Sequence, residues 1–336
     1  MGQAAHADER RMSNTKRALI VLLVIALILV GLVAGGLMFL RYKFDRQVQS
    51  ADWFAEVNTS ERPTMSPTDD SDPAVNFLIL GADTEGSTNP DPNMRGQRSD
   101  VTMLVQLSGD RQKATVMSIP RDSWVPIPGH GHAKINAGLS YGGVPLAIQT
   151  VEGLTGVRID HAVLVNFTSF SAITDALGGV TINSKAGEQR MDGQQALKFA
   201  RTRTTLPRGD FDRVRRQQEW MRAMASEVFT RDVLTSPNKL YNVLDAITRH
   251  TTVDAGLTMQ TMQDLALESR DIRPGDVRFI TAPYTGTGWS SDGQSIVNLD
   301  HDVCNGLFAA WARGEAAEYI DDHPAAIPNL YDRPVD

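Results

Sequence analysis

Between Arg17 and Arg41 the chain holds a run of 23 residues without a charge, ALIVLLVIALILVGLVAGGLMFL. That length lets a single helix cross the hydrocarbon of a bilayer. A cleavable leader has a shorter apolar core and a small-residue cleavage site, whereas this run ends at Arg41, Tyr42 and Lys43. The pattern therefore predicts a short tail over 1–17, a membrane helix over 18–40, and a spacer over 41–73 that closes in NTSERPTMSPTDDSDP, rich in Ser, Thr, Pro and Asp.

Beyond the spacer the apolar runs become short. VNFLILG, from Val75 to Gly81, stops abruptly at Gly and suits a buried strand. VTMLVQL and ATVMSI, joined by the polar turn SGDRQK, predict two antiparallel strands. VPLAIQTVEGLTG reads as a helix, HAVLVNF as a strand, FTSFSAITDALGG as a helix closed by a Gly pair, and VTI as a further strand. SPNKLYNVLDAITRH and TMQTMQDLALESR fit helices capped by Ser236 and Thr258, and VRFITAP fits a strand. The alternation predicts an α/β fold, a three-layer α-β-α sandwich with a mixed central sheet, over 74–318. The final segment, 319–336, is rich in Pro and Asp and is expected to be a loose tail.

Composition changes this picture little. At 336 residues with 41% hydrophobic content and a net charge of −7, the chain has material for one large domain or two small ones. The lone Cys304 excludes an internal disulfide. Arg10, Arg11, Lys16 and Arg17 before the apolar run nearly balance Arg41, Lys43 and Arg46 after it, so charge alone only leans toward an inside N-terminus.

Against the acidic net charge, ARTRTTLPRGDFDRVRRQQEW concentrates six arginines, 201, 203, 208, 213, 215 and 216. Wound as a helix from Arg213 to Phe229, with Asp210 or Asp212 at its cap, Val214, Met221, Met224, Ala225 and Val228 share one face. Gln217 falls inside that face and Arg213 at its edge. Buried polar groups without partners are costly, so both should meet something polar near the helix N-terminus, where anions are favoured. Arg201 and Arg203 share a side only if the chain is extended there. The competing reading is a basic surface paired with Asp210, Asp212 and Glu219.

Two more clusters sit at predicted strand ends. Asp83 follows the first strand, and Arg98, Ser99 and Asp100 lead into the second. Two such carboxylates suit a hard cation that keeps water and phosphate oxygens, although Asp residues at strand ends are commonly turn formers. In SIPRDSWVPIPGHGHAKINAG, Arg121, Asp122 and Lys134 form a third cluster or an exposed ion pair, and His130 and His132 read as loop residues. A phosphate-binding P-loop and a dinucleotide fingerprint are missing from the sequence, so chemistry here would be electrostatic and metal-assisted.

In order, LGAD, RSDVTMLV, SIPRD, KINAGLSYGG, MDGQQALKFARTR and GDFDRVRRQQ resemble the motifs of the LytR-CpsA-Psr family of cell-wall glycopolymer ligases. The resemblance covers about Val75 to Phe229 and extends to the short tail and single span. It implies a domain on the outer face of the cell membrane with the N-terminus inside. It also implies a phosphotransferase that moves a glycan from a polyprenyl-pyrophosphate carrier to a peptidoglycan hydroxyl, leaving a phosphodiester. On the matching motifs, Asp83 and Asp100 correspond to Mg²⁺-associated aspartates, with Mn²⁺ a possible substitute. Arg98, Arg121, Arg201, Arg203, Arg213 and Gln217 correspond to pyrophosphate contacts, and Arg121, Asp122, Arg201 and Arg203 are the candidate catalytic residues.

The proton acceptor stays open between Asp100, Asp122 and the metal's own effect on the hydroxyl. A pyrophosphate hydrolase and a non-catalytic regulatory binder of anionic lipid or wall polymer are the alternatives to transfer. Teichoic acid, capsule and arabinogalactan-like polymers are all open as donors, and no nucleic acid is expected as a partner. A composition rich in Ala, Val, Arg and Gly points to a Gram-positive, high-GC source. Asp212 stands where many relatives carry Gly, and the loop from Thr84 to Gln97 is long.

Overall fold

Strands whose alternate residues are apolar on both sides must be covered on both faces, and the central strands of this chain show that pattern. The structure is a computed structural model that describes residues 49–65, 72–82, 97, 99–202, 210–228, 251–329 and 335, with single positions at 236, 239, 242, 243, 245, 246 and 249. The apolar run 18–40, most of the helix expected from Ser236, and the candidate residues Asp83, Arg98 and Arg203 lie outside the described residues. Among those described, no helix is long and apolar enough to cross a membrane.

In chain order the strands are β1 (Gln49–Ala51), β2 (Val75–Ala82), β3 (Ser99–Leu107), β4 (Ala114–Ile119), β5 (Trp124–Ile127), β6 (Gly131–Lys134), β7 (His161–Asn166), β8 (Val180–Ser184), β9 (Gly187–Met191), β10 (Thr251–Asp254), β11 (Val277–Thr281), β12 (Tyr284–Trp289) and β13 (Ser295–Leu299). The helices are α1 (Ala137–Thr155), α2 (Phe167–Ala176), α3 (Gly193–Arg201), α4 (Asp210–Val228), α5 (Met259–Glu268), α6 (His301–Ala312) and α7 (Ala316–Asp322). Seven strands form a mixed sheet in the order β1-β10-β7-β2-β3-β4-β11. β2 is antiparallel to β3 and β3 to β4, as the polar turn between them predicts, whereas β7 is parallel to β2 and β11 to β4.

Alternation sorts the apolar residues into two clusters. Leu78, Leu80, Leu104, Met117 and Ile280 pack with α1 and α6 residues such as Leu139, Ile148, Leu307 and Trp311. Val101, Met103, Val116 and Phe279 pack with Leu177, Ala196, Ala200, Trp220 and Met224 from the α2, α3 and α4 side. Successive strand residues point to opposite faces, so the two clusters are the two faces of one sheet between helices. Phe170, Ile173 and Leu177 belong to the second cluster, and the Phe170 ring lies 5.5 Å from Trp220.

Several expectations need correction. The VTI strand does not join the central sheet; β8 pairs with β9 in a separate hairpin. The loop holding His130 and His132 is a hairpin of β5 and β6, and His130 stacks on Tyr141. α1 begins seven residues before the expected run, and a non-helical Gly143 at φ 73° breaks it just ahead of Pro145. Pro145 then falls near the start of the second segment, where a missing N–H costs nothing.

The described part of the spacer expected over 41–73 enters the fold through residues 49–62. β1 pairs with β10 at the sheet edge, and Trp53 and Val57 are buried in the first cluster. Arg62 donates from Nη2 to Glu152 Oε1 at 2.8 Å and from Nε at 3.1 Å, and also reaches the Ile159 carbonyl. Burial of one indole and one ion pair outweighs the polar composition of the surrounding stretch. At the other end, the tail expected to be loose from 319 is held instead: Ile320 and Ile327 are buried, and the Val335 carbonyl accepts from Lys185 N–H at 2.8 Å.

Glu152 is 4% exposed and Arg62 9%, so removing one charge strands the other. Arg62→Met is expected to lower unfolding stability by about 3 kcal/mol, read as a lower urea midpoint at unchanged slope. An unchanged midpoint would mean that residues 49–62 do not belong to the folding unit.

Candidate active site

The register of the sheet gathers the candidate residues at one edge. β2, β4, β7 and β11 end there and the antiparallel β3 begins there, since Ala82 pairs with Ser99 and Asn166, Thr102 with Ile119, and Thr281 with Ser118. Continuing the β3–β4 register by two residues sets Asp100 opposite Arg121. Their side chains meet, with Arg121 Nη1 donating to Asp100 Oδ1 at 2.5 Å.

A chain of alternating charges runs on from this pair. Arg121 Nε lies 3.7 Å from Asp122 Oδ2, and Lys134 Nζ lies 3.0 Å from Asp122 Oδ1. All four side chains are partly buried, between 19% and 25% exposed, an exposure between that of a core pair and that of a freely solvated one. The turn that carries them is braced from three directions: Ser123 N–H donates to Pro120 O at 2.9 Å, Ile135 N–H to Ser123 O at 2.9 Å, and Val297 N–H to Asp122 O at 2.9 Å. Lys134, read from the sequence as part of the third cluster or of an exposed ion pair, joins the cluster through the β5–β6 hairpin.

α4 supplies the second part of the site. Gln218 Nε2 donates to Ile280 O at 2.6 Å and to Ser118 Oγ at 3.0 Å, fixing this helix at the ends of β11 and β4. Gln217 is the next residue back and Arg213 lies one turn earlier, on the same side as Gln217. Both are buried, Arg213 at 7% and Gln217 at 5%, as the helical wheel requires. The Gln217 amide nitrogen Nε2 is buried and has no hydrogen-bond partner among the described residues. Such an orphan costs about 1–3 kcal/mol, a cost that a ligand oxygen would remove.

Asp212 is buried in the first turn of α4, so the residue that departs from the family motif faces inward. Gln218 was missed from sequence because it lies beside the apolar stripe rather than in it. Arg201 ends α3 with an exposed side chain. Arg216 donates to Phe199 O at 3.1 Å and stacks over the Phe199 ring, tying α4 to α3.

Among the described residues no three His, Cys, Asp or Glu side chains are grouped to hold an ion. The Asp100 carboxylate is the kind of hard oxygen donor that Mg²⁺ takes, since that ion uses one or two carboxylates rather than an all-protein cage. Cys304 is excluded as a nucleophile. It is 1% exposed and its Sγ lies 3.4 Å from the Pro283 carbonyl. Burial, with a smaller contribution from Asp300, pushes its thiol up to about 12.

The LytR_cpsA_psr family model matches residues 40–310 of this chain. The chain belongs to that family. It is 29% identical over 306 residues to the cell wall biosynthesis protein LcpA of Corynebacterium glutamicum, covering 75% of this chain and 58% of LcpA. It thus spans less than two thirds of that relative's length. It is 30% identical to the polyisoprenyl-teichoic acid–peptidoglycan teichoic acid transferase TagU of Enterococcus faecalis, covering 66% of this chain and 74% of TagU. The solved LytR-Csp2A-Psr enzyme of Actinomyces oris shares the fold, with a TM-score of 0.60 at 22% identity over 79% of this chain and 96% of that one. In this member of the family, Asp100 and Arg121 meet at one sheet edge, and Gln218 ties the helix that carries Gln217 to the strand ends there.

With its thiol protonated to about pH 12 and shielded, Cys304 is expected to resist Ellman's reagent in the native chain at pH 8. One thiol per chain should appear on denaturation. Rapid labelling of the folded chain would contradict this placement.

Proposed function

We propose that this chain is a Mg²⁺-dependent phosphotransferase, anchored by residues 18–40 with its domain on the outer face of the cell membrane. It moves a glycopolymer from a polyprenyl-pyrophosphate carrier to a hydroxyl of peptidoglycan and releases polyprenyl phosphate. The supporting observation is the buried Gln217 amide nitrogen, without a partner among the described residues, on the helix face shared with the buried Arg213, on a helix tied to the sheet edge where Asp100 holds Arg121. A buried donor kept without a partner beside preorganised guanidiniums suits an oxyanion ligand better than it suits a core. The relative TagU, a polyisoprenyl-teichoic acid–peptidoglycan teichoic acid transferase, gives the substrate classes that this reading adopts.

In the reaction the acceptor oxygen attacks the glycan-side phosphorus. One P–O bond forms as the bond from that phosphorus to the bridging oxygen breaks, and the bridging oxygen leaves on the polyprenyl phosphate. Arg121 is fixed by Asp100 and flanked by Asp122, so it needs no reorganisation to meet the charge that grows on the leaving phosphate. Lys134 holds Asp122 in place. Arg213 and Gln217 offer hydrogen bonds to the pyrophosphate from the helix side, and Arg98, Arg201 and Arg203 complete the set by motif. The hydroxyl proton passes to a carboxylate at this edge, where Asp100 and Asp122 are the described candidates. Asp83 and Asp100 would hold Mg²⁺, which supplies charge neutralisation to the phosphate oxygens.

Two variants test this reading on the full chain. Arg121→Ala is expected to lower transfer at least ~100-fold while circular dichroism and melting temperature stay native. Gln217→Met removes an unsatisfied amide, so its thermal stability should equal or exceed wild type while transfer falls about tenfold. A destabilised Gln217→Met with normal turnover would reassign Gln217 to the core. Product analysis with a synthetic polyprenyl-pyrophosphate glycan and peptidoglycan fragments, with Mg²⁺ or EDTA, decides the reaction: glycan phosphate released without a conjugate would replace transfer by hydrolysis.

A further inference from the structure

Next to the braced turn stands a hairpin that the reaction as described does not use. β12 and β13 form it, and it is joined to the site through the Val297 N–H to Asp122 carbonyl bond and the Ser123–Val297 bridge. Along β12 the alternate positions Thr285, Thr287 and Trp289 are exposed, and Trp289 is 76% exposed. Of the five tryptophans in the chain, Trp53, Trp220 and Trp311 are buried and Trp124 is partly so. A single exposed apolar side chain is ordinary, so the significance of Trp289 rests on where it stands. It pairs with Ser295, two residues from Val297, which sets it about 7 Å along the strand from the level of Asp122.

The platform is stiff and nearly uncharged. Ser290 N–H donates to Gln294 O at 2.9 Å and Gly293, at φ 82°, donates to Ser290 O at 3.0 Å, closing the tip. Asp292 is the lone charged residue between Tyr284 and Leu299, and its carboxylate is engaged within the tip by Ser290 Oγ and by Gln294 Nε2 at 2.6 Å. Thr287 and Ser295 share the indole's face of the hairpin, with Thr285 farther along β12, and offer it hydroxyl neighbours. An anionic polymer would find no cation on this hairpin. A pyranose ring offers C–H bonds to an indole face and hydroxyls to such neighbours.

We propose that the Trp289 hairpin is a docking platform for the uncharged hexosamine backbone of the peptidoglycan acceptor, stacking one sugar ring beside the Arg121–Asp122 turn. The assignment of that sugar to the acceptor rests on the transfer reading above. The hairpin thereby separates the two substrates by chemistry: guanidiniums take the pyrophosphate donor, and the indole with its hydroxyl neighbours takes the neutral glycan.

The test uses the purified full chain, Trp289→Ala and Trp289→Phe. Titration with an uncharged N-acetylglucosamine oligomer and with peptidoglycan glycan fragments, followed by tryptophan fluorescence and acrylamide quenching in wild type and by calorimetry in all three, should show shielding of the exposed indole. Affinity should fall about tenfold in Trp289→Ala and about threefold or less in Trp289→Phe, with melting temperatures unchanged. In transfer assays the acceptor KM should rise about tenfold in Trp289→Ala, with kcat and the donor KM unchanged.

Equal glycan affinity and equal acceptor KM in wild type and Trp289→Ala would overturn the platform and leave the transfer reading intact. Glycan binding that depends on Trp289 in a chain that transfers nothing would keep the platform and remove the transfer reading. Trp289-dependent binding to lipid vesicles or to anionic polymer, with none to the neutral oligomer, would also overturn it.

Discussion

The hydrogen-bond register between β3 and β4 is the constraint on which the site depends. It sets Asp100 opposite Arg121 and so turns two residues at strand ends into one ion pair. A slip of one residue would send either side chain to the other face of the sheet and bury a charge among Met103, Val116 and Phe279 or among Leu104 and Met117. The apolar pattern forbids that slip, so the same alternation that builds the core aims the guanidinium. Neighbouring elements then brace the turn, with the β5–β6 hairpin contributing Lys134 and β13 contributing a backbone bond to Asp122.

On the other side of the edge, α4 is fixed by one amide and leaves another unsatisfied. Gln218 meets Ile280 and Ser118, whereas the adjacent Gln217 has a buried nitrogen without a partner among the described residues. Folding alone favours filling such a position with an apolar residue, since a buried donor left unpaired is a net cost. A group retained in that state beside buried Arg213 makes sense when a ligand completes it. The stability cost and the proposed binding role therefore trace to the same atom.

Much of the frame was legible in the sequence because strong periodicity leaves few choices. VNFLILG, VTMLVQL, ATVMSI, HAVLVNF and VRFITAP are strands in the structure, and Thr258 caps α5 with its hydroxyl accepting from Thr261 N–H. The elements that escaped are those with weak local signals. β1 is three residues long, and YTGTGW alternates Gly with exposed residues, so it carries no apolar stripe. Residues 49–62 and the C-terminal segment read as spacer and tail because a few buried side chains, Trp53, Ile327 and Val335, are invisible against a polar background.

By itself, the sequence determined the layered α/β class, the inward placement of Arg213 and Gln217, and the family, because periodicity and motif order are local properties of the chain. Only the tertiary structure decided which charges meet, that Lys134 holds Asp122, that the polar stretch after the apolar run enters the core, and that an exposed indole stands beside the Arg121 turn. Those outcomes depend on contacts between segments up to some two hundred residues apart, such as Gln106 with Trp311, and on strand register, which no single stretch of sequence encodes.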